Sequence, residues 1–171
     1  MNDYSQLKQY IQDDRWISAL EYLYDLENKS PMDIAITLNI VYCNGILLVE
    51  KDLPKSVQDE YRDKSINHFR RALSRFPDNP EFLFYAGWMA CIGEWNYGVE
   101  QSFLEKMIDK AYEISPTTFL YSWALCQRGP DQKCVEFKKQ LYENKVLSDS
   151  ILKQYGPFGE YFLDCFRSKI Y

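Results

Sequence analysis

The run Ser65-Ile66-Asn67-His68-Phe69-Arg70-Arg71-Ala72-Leu73-Ser74-Arg75-Phe76-Pro77 places Ser65, Phe69 and Ala72 at spacings of four and three, with a proline five beyond. Those spacings put the first three residues on one face of a helix, and the proline falls where that helix must stop. The same spacing recurs upstream at Ala19, Leu23, Leu26 and Pro31, and downstream at Leu104, Ile108, Ala111 and Pro116. Repetition of a helix-plus-stop unit predicts an all-α chain of antiparallel helical hairpins, stacked so that neighbouring units share one core.

Composition agrees with such a chain. Its 171 residues suit a single domain, 1–171, and the apolar share of 46% is far from that of a disordered protein. Only 7 glycines and 7 prolines leave few breaks, which favours helices over many short strands. The 14 tyrosines, 10 phenylalanines and 4 tryptophans are either core filler between helices or a ligand-facing surface. Net charge is −5 with a pI near 5.0, and no basic stripe is present. Nucleic acid and anionic membrane are therefore not expected partners. An acidic surface is compatible with a basic protein.

Five cysteines (Cys43, Cys91, Cys126, Cys134, Cys165) are widely spread without a C-x-x-C pair, which reads as reduced core thiols in a cytoplasmic protein. Met1-Asn2-Asp3-Tyr4 does not resemble a secretory signal. The apolar stretch from Ile34 to Val49 is too short and too interrupted, by Thr37, Asn39, Asn44 and Gly45, to span a bilayer.

The spacing predicts a short helix around Leu7 and Tyr10, then one over 14–28 capped by Asp13-Asp14. A helix over 32–50 follows, apolar nearly all round and therefore central. Further helices are expected over 57–75, 80–93, 99–114, 117–127 and 131–145, with a short turn near Ile151. The last helix follows Gly156-Pro157 and carries Phe158, Tyr161, Phe162, Leu163, Phe166 and Ile170, as a cap over the open end of the stack. Arg62, Lys64, Arg70, Arg71 and Arg75 give the fourth helix a solvated basic side. The helix over 80–93 is apolar on two sides, so it is either sandwiched between layers or half-buried with a binding face outward.

The Ser65–Pro77 run resembles the second helix of a tetratricopeptide repeat, as does the set ending at Pro116 and, more loosely, that ending at Pro31. Ala86-Gly87 resembles the Leu-Gly pair of such a unit, and Tyr10 falls where its first helix carries an aromatic, although Leu7 takes the small position. The prolines stand 46 and 39 residues apart, against a 34-residue repeat. The resemblance therefore implies degenerate, loop-expanded hairpins over about 3–30, 32–76, 80–115 and 117–146, with a C-terminal cap over 148–171. It also implies protein or peptide binding. No ligand-clamp residue carries over, because the polar positions do not match.

Catalytic chemistry finds little footing. His68 is the single histidine, in a regular helix with no nucleophile fixed nearby, and reads as structural. No close-spaced cysteines suggest zinc, and Gly93 and Gly98 lack the Lys-Ser or Lys-Thr of a phosphate loop. The expectation is a non-enzymatic module with no cofactor and no metal. By analogy of fold and charge alone, it is similar to immunity proteins that neutralise a bacterial toxin domain; the alternative is a chaperone or assembly adaptor holding a peptide. The loop Gly93-Glu94-Trp95-Asn96-Tyr97-Gly98 carries the candidate contact residues. Trp95 and Tyr97 are either exposed anchors or folded under the hairpin, with Trp88 before them and Glu94 and Glu100 as acids beside them.

Overall fold

The computed structural model describes residues 4–126 and 131–167. Met1 to Asp3, the Gly129-Pro130 break and Ile170 lie outside them. The described chain is all-helical: α1 Ser5–Gln12, α2 Trp16–Lys29, α3 Ile34–Glu50, α4 Lys55–Arg75, α5 Pro80–Ala90, α6 Gln101–Ile114, α7 Trp123–Cys126, α8 Asp131–Glu143, α9 Lys145–Tyr155 and α10 Pro157–Arg167. Short 3-10 turns cover Glu94–Tyr97 and Phe119–Ser122. None of these helices is long and apolar enough to cross a membrane.

Several boundaries differ from the expectation. Asp14 does not cap α2: its backbone is left-handed (φ 56°), and its carboxylate instead accepts from the Trp16 indole at 2.6 Å and pairs with Lys51. Asp33 is the residue that caps α3, accepting from the Ala35 and Ile36 amides, and Met32 stays outside the helix, exposed. Of the helix expected over 117–127, the described residues to Cys126 form a 3-10 turn, Phe119–Ser122, leading into α-helix at Trp123, after the Pro116-Thr117-Thr118 start whose β-branched residues are stiff in a helix. The turn near Ile151 is a full helix, α9, started by Asn144, whose side chain accepts from the Leu147 amide.

α3 is buried along nearly its whole length and packs against α2, α4, α5, α9 and α10. α5 is likewise sandwiched: Phe82 to Gly87, Met89 and Ala90 are all buried, and its main partner is α6. The last helix lies across α3 and α5. Phe158 meets Tyr42 and Tyr85, Phe162 meets Tyr85 and Trp88 (ring centroids 5.1 and 4.8 Å), and Phe166 meets Trp88 and Trp123. The aromatic excess read from composition is thus largely core, each buried Phe contributing roughly 1.5–3 kcal/mol of transfer free energy.

A buried ionic cluster joins α2 to α4. Glu27 Oε1 lies 3.0 Å from His68 Nε2 and accepts from Arg75 Nη1 at 2.8 Å, and Arg75 also donates to the Pro31 carbonyl. Arg75 is therefore a tie between helices, whereas Arg70 and Arg71 remain on the solvated side. Burial raises the Glu27 carboxyl, but the hydrogen bonds and charges of His68 and Arg75 outweigh it and hold the group at about 2, against 4.5 ordinarily.

A carboxyl depressed in the folded state stabilises above its unfolded value and loses that contribution as pH falls toward its folded value. Stability should therefore drop between about pH 4.5 and 2, by roughly 3 kcal/mol from Glu27. Urea titrations across that range should show the slope, and Glu27→Gln should flatten it. Ala72 and Ala111 are fully enclosed at helix contacts. Ala72→Leu and Ala111→Phe should each lower stability by about 1–3 kcal/mol through overpacking, read as shifted denaturant midpoints.

Candidate protein-binding surface

The segment between α5 and α6 is a 3-10 turn whose neighbouring side chains point opposite ways. Tyr97 is a core residue, 3% exposed, and its hydroxyl donates to the Val41 carbonyl of α3 at 2.9 Å. Burial pushes its phenol far above the ordinary range. Gly45 makes this contact feasible, because a Cβ there would come within 2.7 Å of the Tyr97 hydroxyl and 2.8 Å of Met89. A mid-helix glycine costs about 0.5–1 kcal/mol in backbone entropy, offset here by room for a buried tyrosine.

Asn96 is also inside, 1% exposed. Its Oδ1 accepts from Arg62 of α4 at 3.4 Å, its amide donates to the Gly93 carbonyl, and its Nδ2 is buried without a partner. Ile66 packs under Gly98. The turn is thereby fixed to α3 through Tyr97 and to α4 through Asn96 and Gly98.

Trp95 alone points out, at 58% exposure, with its six-membered ring near Gly93, itself against Val49. Val49 is also exposed, so the two form a small apolar patch. Glu100 is exposed and Glu94 half-buried, and neither is paired with a cation among the described residues. Of the five sequence candidates, Glu94, Trp95 and Glu100 share the surface around this turn. Tyr97 leaves the set because it is enclosed.

Trp88 is half-buried and turned toward α10. It lines a cleft of about 310 Å³ with Ile92, Trp123, Lys138, Tyr161, Cys165 and Phe166. That cleft exists because α10 crosses α5, and a long-range crossing leaves no trace in local periodicity. The direction of Trp95 was equally hidden, since nothing in Gly93–Gly98 distinguishes which aromatic is enclosed. Gly45 was the one available signal, a gap in an otherwise apolar helix that some distant side chain must fill.

No group of three or more His, Cys, Asp or Glu residues among the described residues is arranged to hold a metal ion. Comparisons with protein-family models, with curated proteins and with solved structures found no match to this chain.

Tyr97→Phe should lower stability by about 1 kcal/mol through loss of the Val41 hydrogen bond. It should also speed amide exchange across 93–99 relative to α3. Unchanged exchange would mean that the turn is held without that bond.

Proposed function

We propose that the chain is a non-enzymatic protein-binding module, built as a short tetratricopeptide-like stack of helical hairpins, that neutralises a basic toxin domain by direct contact. The observation that carries this reading is Trp95, exposed on a turn whose adjacent residues Asn96 and Tyr97 are buried. A large ring held outward by fixed neighbours loses little conformational entropy on docking, which is what makes aromatic residues effective anchors. Glu94 and Glu100 beside it, and the net charge of −5, favour encounter with a basic surface.

The peptide-adaptor alternative has less support. In a stack of this kind an extended ligand lies along the first helices, here α1, α3, α5 and α7, and α10 already covers α3 and α5. A groove ligand would have to displace Phe158 and Phe162, both fully buried.

The test is co-expression with the product of the adjacent gene, followed by binding measurements on the purified pair. Trp95→Ala should weaken binding by about 2 kcal/mol, near thirtyfold, with stability changed by less than about 0.5 kcal/mol. Association should slow as salt rises. A Trp95→Ala chain that binds normally, or an adjacent product that is neither toxic nor bound, overturns the proposal.

A further inference from the structure

Three of the five cysteines are held apart from one another. Cys43 is sealed inside α3, Cys91 faces the Gln101 amide at 3.6 Å, and Cys165 lies against the Tyr161 hydroxyl. The other two, Cys126 at the last described position of α7 and Cys134 in the first turn of α8, meet each other. The Cys134 thiol donates to the Cys126 carbonyl at 3.0 Å, the Cys126 thiol lies 3.6 Å from the Lys133 carbonyl, and the two thiols are close enough for Cys134 to raise Cys126.

We propose that Cys126 and Cys134 are a modification site: a dithiol that closes to an intramolecular disulfide on meeting a peroxide. Cys134 is half-buried whereas Cys126 is 6% exposed, so Cys134 meets the oxidant first. Burial pushes the Cys126 thiol up to about 11, with the Cys134 thiol adding to the rise, against the opposing charges of Lys133 and Lys138. Cys126 thus rests as a thiol and serves as the resolving group rather than the first nucleophile, with Lys133 and Lys138 favouring its thiolate against the effect of burial.

The chemistry is a two-electron oxidation. The Cys134 thiolate attacks one peroxide oxygen, the O–O bond breaks, and the departing hydroxide leaves as water with the proton released from that thiol. Cys134 is then a sulfenic acid. The Cys126 sulfur attacks the Cys134 sulfur, the S–O bond breaks, and hydroxide leaves as a second water with the Cys126 proton. Two thiols and one hydrogen peroxide give one disulfide and two waters. The bond ties α7 to α8, and with them Trp123 and Phe137, whose rings stand 5.3 Å apart and both meet Phe166.

The full chain is exposed to hydrogen peroxide, the reaction is quenched, the chain is unfolded in denaturant so that its remaining thiols can be alkylated, and its peptides are mapped by mass spectrometry, with Cys126→Ser alongside. The expected result is a Cys126–Cys134 link reversed by dithiothreitol, with Cys43, Cys91 and Cys165 alkylated. In Cys126→Ser, Cys134 should be trapped as a sulfenic acid by dimedone, because its resolving thiol is gone. The proposal is overturned if both thiols of the native chain are alkylated after peroxide. It is also overturned if either links to another cysteine or a second chain, or if Cys134 reaches sulfinic acid as fast in the native chain as in Cys126→Ser.

Discussion

One buried amide seats the turn between α9 and α10. Asn39, wholly enclosed in α3, donates to the Tyr155 carbonyl at 2.9 Å and accepts from the Phe158 amide at 3.2 Å, while also donating to Ala35 of its own helix. The end of α9 and the start of α10 are thus satisfied by a single side chain from a helix more than a hundred residues earlier. Helix ends carry orphan carbonyls and amides, and leaving one buried and unpaired costs about 1–3 kcal/mol. The turn between α9 and α10 therefore has one favourable seat. Tyr4 and Glu81 complete it: the Tyr4 hydroxyl donates to the Gln154 carbonyl, and Glu81 accepts from the Gln154 amide and the Tyr155 hydroxyl. Gly156 is left-handed there (φ 55°), and a Cβ would fall 2.6 Å from the Tyr4 ring, so no other residue fits without strain.

The same logic orients α3. A helix apolar on every side has no preferred rotation from hydrophobicity alone. Asn39 and Asn44 supply the missing direction: the first faces the α9–α10 turn, and the second donates to the Tyr24 hydroxyl of α2. Tyr24 in turn packs edge-on to His68, which joins the Glu27 and Arg75 cluster between α2 and α4. Polar groups on separate faces of α3 thereby fix its rotation, while the aromatic residues supply most of the buried area. Specificity and bulk stabilisation rest on different residues.

Fixing α10 across α3 and α5 also decides which surface stays open. The face formed by those two helices is filled by the chain itself, which leaves open the edges: the Trp95 turn, the Val49 patch beside it and the cleft below Trp88. The rigidity of the turn is borrowed from the core. Asn96 and Tyr97 are anchored inside, and the exposed ring between Glu94 and Asn96 inherits their order.

What the sequence determined by itself was the helical grammar. The Ala19, Ser65 and Leu104 sets, the proline stops and the Asn79-Pro80 start all fall on helices or their ends, because spacing and backbone chemistry act within a few residues. The burial of Ala72 and Ala111 was legible for the same reason, whereas two apolar sides left α5 either sandwiched or half-buried until its neighbours were placed. Tertiary structure alone decided the rest. Whether Tyr97 or Trp95 turned inward depended on a gap at Gly45, and whether Asp14 capped a helix depended on Lys51 and Trp16. His68 and Arg75 read as a structural histidine and a solvated base until α2 brought Glu27 within 3.0 Å of both. These outcomes hinge on contacts between residues far apart in the chain, and local periodicity holds no record of which distant surface a side chain will meet.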